Sequence, residues 1–346
     1  MRQITKHNRA GKKKNRILLI ACMLVLVFLM TGCGKNSDGV IRITNVSYDP
    51  TREFYEAYNP LFEKYYEDTY GKKVEVIQSH GGSGAQARSV VEGCNADVVT
   101  LALEHDITLI EQTGLIDKGW QKEFDKDSAP YTSTIVFLVR KGNPKNIRDW
   151  DDLIQKNVEV ITPDPKSSGG ACWNFLAALS YAKEHYTEEE QQKEFMQKLY
   201  QQVSVMDSGA RGSTTTFVEN KKGDVLIAWE NEAIASMKSY PGEYELINPS
   251  VSILAQPSVA IVDDNANDNG TQEVSRKYLS YLYTEKAQRL AAEYGYRPSD
   301  ETILKEYGDT FDLNIRLHTI KDYGGWNNAY KMYFDDGAMF DEIYDF

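Results

Sequence analysis

The sequence predicts an α/β protein with two lobes. Short apolar runs rich in β-branched residues alternate with segments of helical periodicity through most of the chain, which is typical of α/β folds. About 310 residues remain after an N-terminal segment that we expect to be cleaved off. A single hydrophobic core does not ordinarily support a chain of this length. We place residues 40–128 and 250–346 in the first lobe and residues 129–249 in the second.

Residues 1–32 are predicted to be a signal peptide. Basic residues between Arg9 and Arg16 precede Ile17–Met30, a stretch of 14 residues without charge. Such a stretch is short for a membrane-spanning helix, which needs about 20 residues, and normal for the apolar core of a signal peptide. The alternative is an uncleaved membrane anchor.

The end of this segment, Leu29-Met30-Thr31-Gly32-Cys33, resembles a bacterial lipobox. The resemblance implies that Cys33 is lipidated after cleavage and that residues 33–39 form a polar, lipidated tether. Two acyl chains on one cysteine suffice for stable membrane anchoring. We therefore expect an exported protein that is lipid-anchored on the outer face of the cytoplasmic membrane, on its periplasmic or extracellular side.

Charge and cysteine content narrow the class of protein. The first 32 residues hold seven of the 39 basic residues and none of the 51 acidic ones, so the mature chain has a net charge near −19. This charge argues against nucleic acid as a partner. Once Cys22 and Cys33 are set aside, Cys94 and Cys172 remain, and we expect both to be partly buried free thiols. The sequence has no CxxC motif or His-rich spacing, so neither a metal nor a cofactor is expected.

In the first lobe, an alternating strand at Val40–Val46 is followed by Asp49-Pro50, which we interpret as the N-cap and first position of a helix. Pro60 is expected to kink or split that helix. The further elements of this lobe are a strand at Lys73–Gln78, a helix at Ala85–Glu92, a strand at Ala96–Leu103 and a helix at Asp106–Gln112.

In the second lobe, the long strand Thr132–Arg140 is entered and left through Pro and Gly, as suits a crossing between lobes. Thr187-Glu188-Glu189-Glu190 fits a capping box for a helix that reaches Tyr200. The acidic, aromatic residues beyond Tyr323 are expected to form a helix packed on the outside. Further strands are expected at Val158–Ile161, Val203–Met206, Asp224–Trp229 and Ser258–Val262, and the last of these could return the chain to the first lobe. Further helices are expected at Cys172–Tyr186 and, after that return, at Thr271–Tyr283 and Thr284–Tyr294.

Three loops share one design: a strand, a run of Ser and Gly, and the first turn of a helix. They are Ser79–Gly84, Ser167–Ala171 and Asp207–Thr214. The first N–H groups of such a helix have no acceptor within it, and the positive end of the helix dipole lies behind them. Together the loops predict a site for a small anion, whereas each alone is compatible with an ordinary N-cap.

Three side chains near these loops have two interpretations each. His80 either donates to a ligand or anchors its loop, and we favour the anchor. Arg211 either touches the ligand or pairs with an acid such as Asp49. We expect both His80 and Arg211 to support the residues that donate to the ligand and not to contact it themselves. Trp229, at the C-terminal end of its strand, either presents its indole N–H to a ligand or is a core residue.

The available donors determine which anion fits. Backbone N–H groups and the hydroxyls of Ser83 and Ser168 can satisfy a buried dianion without a compensating cation. A site built only of donors favours fully ionised sulfate, because phosphate keeps a proton that needs an acceptor. An Asp49 carboxylate facing the ligand would reverse this preference. A further alternative is an enzyme with Ser83 or Ser168 as nucleophile, which would need His80 as its base.

Long segments of the sequence resemble the periplasmic sulfate-binding proteins of ABC importers. The matching segments are Asn45–Glu53, Ser79–Gly84, Ser128–Thr134, Pro165–Ala171, Asp207–Thr214 and Ile227–Glu232. They are collinear and run from about Val40 to Trp326. The chain departs from the family at Pro60, at the two mature cysteines and in the acidic tail.

The resemblance implies a type II periplasmic-binding-protein fold, in which two α/β lobes joined by hinge crossings close on sulfate and, in some members, thiosulfate. The implied partners are the permease subunits of an ABC transporter, and we expect a monomer without enzymatic activity. The alternative is the same fold binding another oxyanion, phosphate or molybdate. The implied ligand donors are Asp49 through its backbone N–H, Ser83, Ser168, Gly169, Gly170, Ala210 and Trp229.

Overall fold

The computed structural model describes residues 39–344. The expected signal peptide, the expected lipidation site Cys33 and nearly all of the expected tether lie outside these residues. The chain divides into the units Met1–Ile41 and Arg42–Phe346, and the fold described below is that of the larger unit. None of the helices between residues 39 and 344 is both long enough and apolar enough to cross a membrane.

Strands and helices alternate along the chain, as the sequence predicts. The strands are β1 (Val40–Tyr48), β2 (Lys73–Gly81), β3 (Val98–Leu101), β4 (Tyr131–Thr132), β5 (Ile135–Arg140), β6 (Val160–Pro163), β7 (Val203–Asp207), β8 (Val225–Trp229), β9 (Tyr244–Ile247), β10 (Val251–Ile253), β11 (Ser258–Ile261), β12 (Arg297–Pro298) and β13 (Arg316–His318). The helices are α1 (Arg52–Tyr70), α2 (Ser83–Val91), α3 (Glu104–Gln112), α4 (Gly169–His185), α5 (Glu189–Gln201), α6 (Ala210–Val218), α7 (Glu230–Ser239), α8 (Asp263–Asn269), α9 (Gln272–Tyr281), α10 (Glu285–Glu293), α11 (Glu301–Glu306), α12 (Trp326–Tyr333) and α13 (Met339–Tyr344). Short helical turns lie at Asp49–Thr51, Trp120–Lys122, Asp125–Ser128, Trp150–Ile154 and Ile320–Tyr323.

The first sheet has four strands in the order β11-β3-β1-β2. Strand β3 runs parallel to β1 and antiparallel to β11, so the chain returns to this sheet after a long excursion, as expected. All four residues of β3 are buried, which is typical of a central strand covered on both faces. Helices α2 and α3 begin just beyond the ends of β2 and β3, which places their N-termini at one edge of this sheet.

The second sheet has five strands in the order β7-β6-β8-β5-β9. Strand β6 is parallel to β7 and β8, whereas β5 is antiparallel to β8 and β9. Helices α4 and α6 follow β6 and β7 respectively, so both begin at the carboxyl edge of parallel strands. Ligands of open α/β sheets bind at that edge.

The predicted crossing strand Thr132–Arg140 is interrupted in the structure. Tyr131–Thr132 pairs with β12, Ser133 forms an isolated bridge with Ala255, and β5 begins only at Ile135. The division into lobes at residues 128/129 and 249/250 stays a prediction.

One local expectation is wrong and another is tested only in part. Pro60 does not split helix α1, which runs as one element from Arg52 to Tyr70, and a kink at this position stays a prediction. Phe54, Tyr58 and Phe62, on both sides of the proline, are fully buried among other aromatic rings. The capping box expected at Thr187 is absent from this part of the described chain: α5 has Glu188 as its N-cap residue, and no side chain there bonds to the first turn.

We expected the aromatic residues beyond Tyr323 to form a helix packed on the outside. In the described part of this segment, which ends at residue 344, two helices, α12 and α13, place most of their rings in the same hydrophobic core as α4, whereas Tyr344 is 45% exposed. Trp326, Phe334 and Phe340 are at most 3% exposed. Burial of such large apolar side chains outweighs the acidic residues between them, which remain at the surface.

Candidate functional site

The three Ser- and Gly-rich loops meet at one small pocket. Ser83, Gly169 and Ala210 are the first residues of α2, α4 and α6, so the N–H groups of these first turns have no acceptor within their helices. The turn after β1 completes the pocket. Its lining residues are Tyr48, Asp49, Pro50, Gly81, Gly82, Ser83, Ser168, Gly170 and Ala210.

Glycine is required where the loops approach most closely. A Cβ atom on Gly169 would lie 2.9 Å from Cγ of Leu103 and 3.1 Å from Cβ of Ser83. Real Cβ atoms do not make contacts this short, so only glycine allows the start of α4 to lie against the first loop. Five of the seven expected donors therefore line one pocket, and a sixth, Gly169, is in the same helical turn.

Ser168 is the N-cap residue of α4. Its Oγ accepts the N–H of Ala171 at 3.4 Å, and the residue is only 4% exposed. Because the oxygen acts as acceptor here, the hydroxyl proton remains to be donated to another group. The expected hydroxyl donor of this loop thus lies at the edge of the pocket, and its donation to a ligand stays a prediction.

Ser83 differs from what the sequence led us to expect. Its hydroxyl donates to Oδ2 of Asp106 at 2.5 Å and accepts the N–H of Ala102 at 3.0 Å. The hydroxyl is therefore committed within the protein, and donation to a ligand from the backbone N–H of Ser83 stays a prediction. Burial raises the pKa of Asp106 to about 6, although the bond from Ser83 opposes this shift.

Asp49 lies in a short 3-10 turn, and its side chain does not cap a helix, contrary to our expectation. The N-cap position of this turn is Tyr48. The Asp49 carboxylate lies 3.4 Å from Nη2 of Arg52, three residues further on. It remains at the edge of the pocket, near Gly209, where a Cβ atom would be 4.0 Å from Oδ2.

Arg211 pairs with an acid, but with Glu53 and not with Asp49. The distance from Nη1 to Oε1 of Glu53 is 2.6 Å, and both side chains are about half exposed. No lysine or arginine is found among the described residues that line the pocket. Positive potential in the pocket must therefore come from helix dipoles and N–H groups.

His80 makes a contact that agrees with an anchor for its loop, the interpretation that we favour, while its Nε2 is buried without a hydrogen-bond partner, so donation from this atom to a ligand stays open as the alternative. Its Nδ1 lies 3.0 Å from Oγ of Ser47 in the neighbouring strand. Burial, together with the nearby Arg52 guanidinium, lowers the pKa of His80 to about 4. The imidazole is thus neutral at neutral pH, and it contacts neither Ser83 nor Ser168 within hydrogen-bond distance among the contacts described.

Trp229 is a core residue whose polar end reaches the edge of the pocket. Its ring is 1% exposed and packs against Tyr48, with 5.6 Å between ring centroids. Its indole N–H donates to the carbonyl oxygen of Gly170 at 3.1 Å. The structure thus gives this N–H a protein acceptor at the edge of the pocket, and its donation to a ligand stays a prediction.

The sequence analysis missed two carboxyl groups near the pocket, Asp106 and Glu232. Asp106 looks like an ordinary acidic residue in the first turn of a helix. Glu232 is the third residue of α7, a helix that we had not predicted after Trp229. The fold buries Asp106 and half-buries Glu232, so no local signal could have found them.

The two mature cysteines are free, as expected, although Cys172 is fully buried and not partly so. Burial raises the pKa of its thiol well above the usual value. Within residues 39–344, no group of His, Cys, Asp and Glu side chains is placed to hold a metal ion.

Comparison with known proteins extends this description. Residues 43–297 match the model of a family described as bacterial extracellular solute-binding protein. The chain is 53% identical over 306 residues to a sulfate-binding protein of Escherichia coli K12, which covers 88% of this chain and 93% of that protein. It is 42% identical over 304 residues to a thiosulfate-binding protein of Pseudomonas aeruginosa, which covers 87% of this chain and 92% of that protein.

A solved structure agrees with these relationships. The sulfate-binding protein SubI from Mycobacterium tuberculosis H37Rv superposes with a TM-score of 0.78 at 34% identity, over 85% of this chain and 100% of that one. The fold is therefore the type II periplasmic-binding-protein fold that the sequence predicts. The chain belongs to the bacterial extracellular solute-binding proteins, in the family that contains the sulfate-binding and thiosulfate-binding proteins.

Proposed function

We propose that this protein is an extracytoplasmic solute-binding lipoprotein that captures sulfate and delivers it to the permease of an ABC transporter. The ligand donors would be the backbone N–H groups of the three helix starts, together with the Ser168 hydroxyl and the Trp229 indole. Thiosulfate is a second candidate ligand, because the relative from Pseudomonas aeruginosa is named for it.

The observation that carries this proposal is the convergence of the helix starts at Ser83, Gly170 and Ala210 on one pocket. Each start contributes N–H donors and the positive end of a dipole, and the pocket's described lining contains no basic side chain. A dianion held by such donors needs no counter-charge and no acceptor. This donor set suits sulfate, which has no proton to give.

Binding would be coupled to closure of two lobes. Gly169 lies against Leu103 and Ser83. The first turn of α4, which follows a strand of the second sheet, therefore meets the loop that follows β2 of the first sheet at the pocket. An anion that accepts hydrogen bonds from both lobes binds the closed arrangement more tightly than an open one. This difference in affinity stabilises the closed arrangement. We further propose that Cys33 carries the lipid anchor and that the protein acts as a monomer.

Two alternatives remain open to test. Phosphate or molybdate would use the same fold, and phosphate would be favoured if the Asp49 carboxylate faced the ligand. The contact of that carboxylate with Arg52 supports the proposal that Asp49 donates to the ligand through its backbone N–H. The similar proteins, moreover, are named for sulfate and thiosulfate. The enzyme alternative has less support, because His80 bonds to Ser47 and not to either candidate nucleophile.

Isothermal titration calorimetry of the purified protein with sulfate, thiosulfate, phosphate and molybdate tests the proposal. We expect sulfate to bind tightly and phosphate to show no measurable heat under the same conditions. Tight phosphate binding with no sulfate binding would refute the proposed selectivity. Turnover of an aryl sulfate that is lost in Ser83→Ala or Ser168→Ala would instead support the enzyme.

A further inference from the structure

Residues 320–344, which we call the aromatic segment, pack along helix α4. The rings of Trp326 and Trp173 meet edge to face at 4.7 Å between centroids, and those of Phe334 and Phe175 at 5.2 Å. Helix α4 is the helix whose first turn lines the pocket. The aromatic segment is therefore packed against the same helix whose first turn is proposed to bind the anion.

The segment also holds the loop that precedes this helix. The ammonium group of Lys166 donates to the backbone oxygens of Phe334 and Asp335, at 2.9 and 3.1 Å, and to Oδ2 of Asp341 at 2.8 Å. All three donors of the lysine are thus directed to the aromatic segment. Lys166 is only two residues before Ser168, so these bonds fix the chain immediately next to the expected donor.

A third contact reaches the other side of the pocket. The ring of Tyr330 stacks on that of His105, with 3.8 Å between centroids and 11° between planes. His105 directly precedes Asp106, the residue that holds the Ser83 hydroxyl. The aromatic segment therefore touches the supports of both serine loops, one in each sheet.

We propose that the aromatic segment positions the anion site, and that Lys166 is the positioning residue through which it holds the Ser168 loop. Binding by N–H groups depends on their placement, since a hydrogen bond weakens steeply when distance or angle changes. Charge-assisted bonds to the lysine are stronger than neutral ones, and their acceptors are on a segment fixed by buried rings. This inference rests on the proposed function.

The chain offers a matched control for Lys166. Lys193, on α5, donates to Oε2 of Glu342 at 2.7 Å. Glu342 is in the same helix, α13, as Asp341, but Lys193 is far from the serine loops in the sequence and does not line the pocket. Replacing Lys193 removes an ion pair between the aromatic segment and the rest of the protein without touching the loop.

The test compares Lys166→Met and Lys193→Met with the wild type by titration calorimetry with sulfate and by thermal unfolding. We expect Lys166→Met to weaken sulfate binding about tenfold, equal to about 1.4 kcal/mol, and Lys193→Met to change it less than about twofold. Hydrogen exchange should become faster at the amides of residues 167–171 in Lys166→Met only. Lys166→Arg keeps the charge and several donors, and it should restore most of the affinity.

If Lys166→Met does not fold, Asp341→Asn replaces it, because this variant keeps both backbone contacts of the lysine. It should weaken binding more than Lys193→Met does. Unchanged affinity in the folded Lys166 or Asp341 variant, in a protein whose wild type binds sulfate, overturns the positioning role alone. A wild type that binds neither sulfate nor thiosulfate overturns the proposed function, and the positioning role with it.

Discussion

The hydroxyl of Ser83 donates to the carboxylate of Asp106 at 2.5 Å, so it is not available to a ligand. The oxygen of this hydroxyl also accepts the Ala102 N–H. In Ser168 the oxygen accepts the N–H of Ala171, and the proton is left to be donated. Two serines that look equivalent in the sequence therefore differ in the structure: the hydroxyl of Ser83 is engaged as both donor and acceptor, whereas that of Ser168 is engaged as an acceptor.

This difference predicts unequal effects of two alanine substitutions. Ser168→Ala removes a hydroxyl donor to a charged ligand and should weaken sulfate binding by about 1.5–3 kcal/mol. Ser83→Ala keeps the backbone N–H and should weaken binding less. It should instead lower thermal stability, because it leaves the buried Asp106 carboxyl without its partner. Calorimetry and thermal unfolding of both variants measure the two effects, and a larger loss of affinity in Ser83→Ala would contradict this assignment.

The close approach at Gly169 predicts a second effect. In Gly169→Ala the new methyl group would lie 2.9 Å from Leu103, so the start of α4 must move away from the first loop. We expect sulfate affinity to fall more than about tenfold, since donors from the two sides then no longer meet. The affinity is measured by calorimetry at a temperature where the variant is folded.

Gly84→Ala is the control for this substitution. Gly84 is also in the first turn of a helix at the pocket, but its Cβ would lie 3.5 Å from Nη1 of Arg88 and 3.7 Å from Oδ1 of Asp106, both of which are ordinary contact distances. Alanine favours helix over glycine by about 0.5–1 kcal/mol, so this variant should be as stable as the wild type or more so. Equal losses of affinity in Gly169→Ala and Gly84→Ala would show that close approach is not the cause.

Trp229→Phe tests the role of the indole. The variant loses the N–H that contacts the Gly170 carbonyl and keeps most of the packing against Tyr48. We expect sulfate binding to weaken by about 1–3 kcal/mol, the usual effect of losing a donor at a charged or buried partner. Normal binding would show that Trp229 is a packing residue only.

Trp150→Phe is a suitable comparison, because Trp150 is also fully buried and donates its indole N–H to a backbone oxygen, that of Val251 at 2.8 Å. It does not line the pocket. This variant should lose stability to a similar degree without losing affinity. A matching loss of affinity in both variants would mean that binding responds to general destabilisation.

The three loops could be predicted from the sequence because their signals are local. A strand, a run of Ser and Gly, and a helical pattern follow one another within a few residues, and the first turn of any helix has unpaired N–H groups. The approach of Ser168 and Ala210 follows once the parallel strands β6 and β7 are placed side by side, since their carboxyl ends share one edge. Ser83 follows a strand of the other sheet, so its approach to these residues depends on how the two sheets pack together.

What could not be predicted depends on contacts between distant parts of the chain. Arg211 and Glu53 are 158 residues apart, so spacing could not distinguish Glu53 from Asp49 as the partner. The direction of the Ser83 hydroxyl depends on Asp106, which only the packing of α3 against α2 brings within reach. The sequence pattern of the aromatic segment predicts an outer helix, because acidic residues lie between the rings and nothing local indicates that most of these rings are buried in the core.

Burial of Glu232 predicts a pH dependence of stability. The side chain is half-buried, and its loss of solvation raises the pKa of this carboxyl to about 8; Arg211 opposes the shift, whereas Glu53 and Asp49 add to it. The folded protein thus holds this proton more tightly than the unfolded chain, where the pKa is near 4.5. The contribution to stability is therefore full at low pH and is lost as the pH rises toward 8.

Glu232→Gln keeps the shape of the side chain and removes the titration, so the variant should unfold at a higher temperature than the wild type near pH 8 and above. The difference should shrink toward zero near pH 5, where the wild-type carboxyl is largely protonated in the folded state. Thermal unfolding of both proteins from pH 5 to pH 9 measures this trend, with the exposed Glu56→Gln on α1 as control. Parallel curves for wild type and Glu232→Gln across that range would mean that Glu232 is charged in the folded protein, with Arg211 close enough to compensate for its burial.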